Sequence, residues 1–287
     1  MTDRVIAADD LTKSFGTFLA VGGVTFDVAP GEVVGLLGAN GAGKTTTIRM
    51  LTGLMAPTSG RAEILGGPPS REARRHLGYV PQGLGLYRDL TVSQNVAFSA
   101  GAYGVPISNL PRDLASESDR PVGQISLGLQ RQLAFAVALQ HQPSVLILDE
   151  PTSGVGPLGA ARLWERIRDE AGRGAGVLVS THSMDEALEC DRLLMMSMGT
   201  IVASGTEEDI VDGTIAVRIG TQNWQAAFDV LSDAGFLVML DGTSVRVVDE
   251  DADRIRELLA DVIDGPLQID VEAATIDERM AVLSRSV

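Results

Sequence analysis

The sequence predicts an α/β protein with a mostly parallel sheet, followed by a small α+β unit. Three observations carry this prediction. Short apolar runs alternate with helical patterns as far as about residue 210. One of these runs, Val33 to Leu37, feeds directly into Gly38-Ala39-Asn40-Gly41-Ala42-Gly43-Lys44-Thr45 and then into a helical pattern. After Gly213 the pattern restarts in the order β-α-β-β-α-β, consistent with a ferredoxin-like fold.

Taken in order, Val5 to Ala8 and Val21 to Val28 read as strands joined by Gly-containing turns. Val33 to Leu37 is a buried strand, and the helix behind the glycine run extends to about Leu54. Pro57-Thr58-Ser59-Gly60 is a turn, and Leu77 to Val80 is a strand stopped by Pro81. Thr91 and Gln94 form a capping box that opens a helix running toward Tyr103. Residues 104–125 read as loop with short helix at most. Ser126 caps an apolar helix through His141, and Val145 to Leu148 is a strand ending in Asp149-Glu150. Pro157 suits the first turn of a helix that ends near Gly172. Val177 to Ser180 is a strand, Ser183 and Glu186 form a second capping box on a helix to about Glu189, and Leu193 to Met196 with Thr200 to Ala203 form a last strand pair. The tail reads as strand 216–219, helix 224–234, strands 236–240 and 244–248, helix 252–262 and strand 267–271.

Bulk properties narrow the classes. The chain has 287 residues and a net charge of −15, which argues against general binding to a phosphate backbone. The cluster Arg71, Arg74 and Arg75 reads best as a solvated helix face. A single cysteine, Cys190, excludes an internal disulfide and fits a reducing compartment. The first residues do not read as a secretory signal, and runs such as Leu133 to Leu139 are too short to cross a bilayer. Work at a membrane therefore requires a partner.

Gly38 to Thr45 matches the phosphate-binding pattern G-x-x-x-x-G-K-[ST], with a strand before it and a helix after it. Glycines let backbone N–H groups approach phosphate oxygens, and the helix adds its positive end. Lys44 supplies a point charge to the outer phosphates, and the Thr45 hydroxyl is placed for Mg²⁺. Asp149, at a strand end, is the carboxylate that supports the metal. Glu150, next along, orients or deprotonates the attacking water.

The order of Gly38 to Thr45, Gln82, Ser126-Leu127-Gly128, Asp149-Glu150 and His182 resembles the ATP-binding cassette (ABC) ATPases, over residues 1 to about 210. The phrase Ala-Pro-Thr-Ser-Gly and the tail look most like the ATPases of drug exporters, whose membrane subunits are often separate chains. The resemblance implies ATP and Mg²⁺ as ligands. It places nucleotide contacts at Phe15, Gly38, Asn40, Gly41, Ala42, Gly43, Lys44, Thr45, Thr46 and Gln82, with Ser126 and Gly128 meeting ATP on a second subunit. Metal contacts fall at Thr45, Gln82 and Asp149, and catalytic roles at Glu150, His182 and Lys44. On residues alone, Phe15 would read as core, and Gln82 and His182 as loop residues. The implied assembly is a homodimer on an integral-membrane permease at the cytoplasmic face of the membrane, with no nucleic acid. An ATPase domain covers 1–212, its helical subdomain spans about 84–142, and an accessory domain covers 213–287. Leu84, Leu86, Tyr87 and Leu90 are candidates for the permease contact and read equally well as core.

Two motifs depart from the family pattern. Leu127 replaces a glycine of Leu-Ser-Gly-Gly-Gln, with Leu129 at the glutamine, and Gly156 replaces the aspartate of Gly-Leu-Asp-Pro. Both keep a second reading open: a regulatory or non-transport ABC ATPase of low turnover.

Overall fold

The computed structural model describes residues 4–260 and 262–285. It divides into two compact units, the first running to Ile201 and the second starting at Val202. The first contains β1 (Ile6–Phe15), β2 (Phe18–Val28), β3 (Val33–Leu37), α1 (Lys44–Leu51), β4 (Ser59–Ile64), β5 (Leu77–Val80), α2 (Val92–Tyr103), α3 (Arg112–Ala115) and α4 (Leu127–Leu139). β6 (Val145–Asp149), α5 (Pro157–Gly172), β7 (Gly176–Thr181), α6 (Met184–Ala187) and β8 (Arg192–Ser197) follow, and β9 (Thr200–Gly205) crosses the division.

A three-stranded antiparallel sheet has the order β2-β1-β4. A six-stranded sheet has the order β5-β6-β7-β3-β8-β9, with parallel pairing from β5 through β8. Strands β3, β6 and β7 are buried at every residue, which is why they read as unbroken apolar runs. Alternate residues serve opposite faces. Val34, Leu36, Ile147 and Leu178 pack with Ile48 and Leu51 of α1 on one side. Val33, Leu146, Leu148, Val177 and Val179 pack with Phe135 of α4 and with Trp164 and Ile167 of α5 on the other. Each fully buried leucine here, such as Leu36, contributes roughly 1.5–3 kcal/mol. The parallel register sets Leu37 beside Thr181 and Asp149 beside Ser180, so three strand ends open onto one edge.

A smaller cluster, with Val92, Val96, Leu114, Ile125 and Leu133, joins α2, α3 and α4. The Thr91–Gln94 capping box is present, with both of its hydrogen bonds. The 104–125 segment holds α3 and one short 3-10 turn at Val122–Gln124. Leu84 and Leu86 pack against the core, whereas Tyr87 is exposed and meets Phe98 edge-on at 4.9 Å.

Several expectations need correction. β1 continues to Phe15 past irregular pairings, and β4 starts inside the expected 57–60 turn. Gly60 permits this: its φ is +77°, and a Cβ there would sit 2.0 Å from the Asp10 carbonyl oxygen. α1 stops at Leu51, because the N–H groups of Leu54 and Met55 both turn back to the Arg49 carbonyl. α4 likewise ends at Leu139 rather than His141. The second capping box does not form: Ser183 makes no side-chain cap, α6 is one turn long, and Glu186 is bonded elsewhere.

The second unit contains α7 (Glu207–Val211), β10 (Ile215–Gly220), α8 (Trp224–Asp233), β11 (Val238–Asp241), β12 (Ser244–Val248), α9 (Ala252–Ala260), β13 (Gln268–Ala273) and α10 (Ile276–Arg285). The strand and helix order of the tail is as the sequence reads from residue 216 to 271. α7 and α10 lie beyond that reading. α7 packs with α10, and Arg279 donates to the Ile210 carbonyl at 3.1 Å, so the segment before residue 213 groups with the tail. The sheet is antiparallel, in the order β11-β12-β10-β13. Val217, Ile219, Val245 and Val247 face Ala227, Leu231, Ile255 and Leu259 of α8 and α9. Arg246, buried on the opposite face, holds Glu278 at 2.5 Å and Glu272 at 2.7 Å.

Candidate active site

The site is built where β3 gives way to α1. Gly38 is packed so closely that a Cβ would lie 2.4 Å from the Met196 carbonyl oxygen. Gly41 and Gly43 both have left-handed backbone, at φ +86° and +107°. A Cβ on Gly43 would also meet the Ala20 carbonyl at 2.8 Å. Ala42, buried, closes the turn through its N–H to the Ala39 carbonyl.

Lys44 is 5% exposed, and its ammonium donates to the Gly38 carbonyl at 2.6 Å and the Ala39 carbonyl at 3.1 Å. Burial lowers its pKa, with Glu150 and then Asp149 opposing that shift. The Glu150 carboxylate lies 3.9 Å from the ammonium.

Asp149 and Glu150 close β6. Asp149 Oδ1 accepts from the Ser180 hydroxyl at 2.6 Å and from the Thr45 hydroxyl at 3.3 Å. Its Oδ2 is buried with no hydrogen-bond partner. Glu150 has a left-handed backbone at φ +50°. Its N–H is held by Ser180, and its carbonyl accepts from Arg131 Nη1 at 2.8 Å. Its carboxylate accepts from Gln82 Nε2 at 3.2 Å and lies 3.5 Å from His182 Nδ1. Burial, reinforced by Asp149, pushes the Tyr79 hydroxyl up to about 12, so it stays neutral.

A cavity of about 440 Å³ unites Phe15, Asn40, Gly41, Gly43, Lys44, Thr45, Thr46, Gln82 and Glu150. Phe15 is 48% exposed at its rim, which removes the core reading. Lys13 Nζ lies 5.3 Å from the Phe15 ring centre. Phe18 and Ala20 also line the cavity. Larger cavities lie beside Arg166 and Trp164, but no glycine-loop residue lines either. Ser126 and Gly128 stand apart from the Lys44 cavity. Ser126 caps α4 by accepting from the Leu129 N–H at 3.3 Å, and neither residue lines this cavity. The apolar Leu127 side chain lies over Gly154, where a Cβ would come within 2.8 Å.

The orphaned Asp149 Oδ2, beside the Thr45 hydroxyl, suits a hard divalent cation that takes oxygen ligands. Among the described residues no cluster of three His, Cys, Asp or Glu side chains is present, so this is not a closed protein cage. Such a donor set fits Mg²⁺, which keeps waters and shares substrate phosphates.

Sequence reasoning missed Ser180 and Arg131. Ser180 is a fully buried hydroxyl ending an apolar strand. Arg131 is a buried cation within an apolar helix. Each is a polar residue in an apolar pattern, and that was the available signal.

The family model described as ABC transporter matches residues 21–153. The chain is 44% identical over 220 residues to the probable multidrug ABC transporter ATP-binding protein YbhF of Escherichia coli (strain K12), covering 72% of this chain but 38% of that protein. It is 39% identical over 233 residues to Nod factor export ATP-binding protein I of Paraburkholderia xenovorans (strain LB400), covering 76% of each. A solved structure of an ATP binding subunit of an ABC transporter superposes with a TM-score of 0.66 at 33% identity, over 72% of this chain and 91% of the other. Among the described residues no helix is long and apolar enough to cross a membrane.

Proposed function

The chain belongs to the ABC transporter family of ATP-binding proteins, and from that premise we propose that it binds and hydrolyses ATP to power export through a separate membrane subunit. The observation that carries this reading is one cavity holding both the Lys44 ammonium and the Glu150 carboxylate. Lys44, with the amides of residues 39–45, grips the outer phosphates of ATP, and Phe15 offers its exposed ring to the adenine. Thr45, Asp149 and Gln82 would hold Mg²⁺, which supplies charge neutralisation on the phosphate oxygens. Glu150 takes the proton of the attacking water, and His182, beside it, steadies the terminal phosphate.

The exposed N-terminus of α4 supports a dimer. Ser126 and Gly128 do not line their own chain's cavity, so a second copy's ATP is the anion that they are free to meet. A helix N-terminus favours such an anion by about 0.3–1 kcal/mol, and more when buried. The exposed pair Tyr87 and Phe98 fits a permease contact, which would place the protein at the cytoplasmic face of the membrane. Export of a drug or other small molecule follows from what YbhF and the Nod factor export protein are described as doing. We assign the nucleotide chemistry to the first unit, with a helical subdomain at about 84–142, and an accessory role to the second, which begins at Val202 rather than at the expected residue 213. The strand order β11-β12-β10-β13 supports a ferredoxin-like fold for that accessory part.

Steady-state phosphate release by the purified chain with Mg·ATP, compared with Glu150→Gln, tests the ATPase reading. A fall of about 10²–10⁴-fold is expected for loss of a general base, and equal rates would remove its support.

A further inference from the structure

Glu186 is the residue that sequence reasoning placed in a helix cap and that the structure uses otherwise. Its Oε1 accepts from the Thr152 hydroxyl and its Oε2 from the Thr181 hydroxyl, the latter at 2.7 Å. Thr152 stands two residues beyond Glu150, and Thr181 directly precedes His182. Both threonines are nearly inaccessible, at 5% and 2% exposure. One carboxylate thus bridges the loop leaving β6 and the loop leaving β7.

We propose that Glu186 is a positioning residue of the ATPase site, tying the Glu150 loop to the His182 loop and so setting the gap in which water and the terminal phosphate align. This rests on the function proposed above and adds a residue that touches neither nucleotide nor metal.

Four features make the bridge consequential. First, the Glu150 backbone is left-handed, a conformation that a non-glycine residue keeps only when its surroundings hold it there. Second, Ser180, Arg131, Gln82 and the Ser153 N–H restrain Glu150 itself and the Val155 N–H holds the Thr152 carbonyl, whereas Glu186 holds the Thr152 side chain and so ties this turn to the next loop. Third, bonds from hydroxyls to an ionised carboxylate are the stronger kind, and here both hydroxyls are buried. Fourth, the Arg131 guanidinium stands within electrostatic reach of both Glu150 and Glu186, so the bridging charge is not left uncompensated. α6, one turn long, is too short to hold Glu186 by itself; the two threonines hold it.

The test is Michaelis–Menten analysis of Mg·ATP hydrolysis by the full chain, together with equilibrium binding of a fluorescent ATP analogue. Glu186→Ala is expected to lower kcat by up to about 100-fold, the scale of a misplacement near 1 Å, with KM and analogue affinity little changed. Glu186→Gln recovers most of this loss, because its carbonyl accepts from one threonine and its amide donates to the other. Thr152→Val, which removes one anchor without touching Glu186, produces a smaller fall of the same kind and serves where Glu186→Ala fails to fold. Unchanged kcat in both Glu186→Ala and Thr152→Val would overturn the proposal while leaving the ATPase reading intact. So would parallel loss of analogue affinity in all three variants, since that is the behaviour of a residue that only holds the fold. A wild-type chain that releases no phosphate would overturn the ATPase reading and this proposal together.

Discussion

The Ser180 hydroxyl donates to Asp149 Oδ1 at 2.6 Å, and this bond leaves Oδ2 as the free, buried oxygen of the carboxylate. On the proposed Mg²⁺ site, Ser180 would set which oxygen faces the metal. Ser180→Ala releases that orientation. The concentration of Mg²⁺ needed for half-maximal hydrolysis is expected to rise about 10–100-fold, as for other partners of metal ligands. A Mg²⁺ titration of phosphate release at fixed ATP measures this, and an unchanged midpoint would assign Ser180 to packing alone.

Gly154 lies beneath Leu127 with φ +76°. Gly154→Ala brings both backbone strain and contact with the Leu127 methyl, and is expected to destabilise the first unit by about 1–2 kcal/mol. Adding Leu127→Ala relieves the contact but not the strain, so the double variant recovers part of the loss. Denaturant midpoints of the three variants check this coupling.

Gly156 is the N-cap of α5, with Pro157 at the first helical position and no side-chain cap bond. A Cβ there meets nothing within 4 Å. Gly156→Asp is therefore expected to be accommodated and to stabilise the chain by a few tenths of a kcal/mol, about the difference between Asp and Gly as N-caps. It also restores the carboxylate that the family carries at this position, and the Hill coefficient of ATPase activity is expected to rise. A lowered melting temperature with an unchanged Hill coefficient would contradict both parts.

In the second unit Arg246 and Glu278 form a buried pair, at 8% and 2% exposure. Glu272, bonded at 2.7 Å, is only half-buried and compensates in part. Glu278→Ala leaves a buried guanidinium with only the half-buried Glu272 and the Ala273 carbonyl as partners, and the expected loss is about 3–5 kcal/mol. Calorimetry of the full chain would show a transition moved to lower temperature.

The parallel core was legible because β3, β6 and β7 are buried on both faces and read as unbroken apolar runs. The glycine loop was legible because its spacing answers to backbone geometry, as the left-handed Gly41 and Gly43 show. β4 escaped because only two of its six residues are buried and Gly60 disguises its start as a turn. The extension of β1 escaped because Asp9 and Asp10 interrupt the alternation where its pairing shifts register. Glu186 was misread for a different reason. Ser-x-x-Glu describes a local cap, whereas its two partners come from one residue five positions earlier and one on another strand end. Sequence spacing carries local bonds well and tertiary bonds poorly.

The most direct measurement of the central claim, that Lys44 and Glu150 act on one triphosphate, identifies the nucleotide retained after Mg·ATP is given for one turnover. Wild-type chain is expected to hold ADP, Glu150→Gln to hold intact ATP, and Lys44→Met to hold neither. Glu150→Gln retaining ADP as readily as wild type would contradict the account.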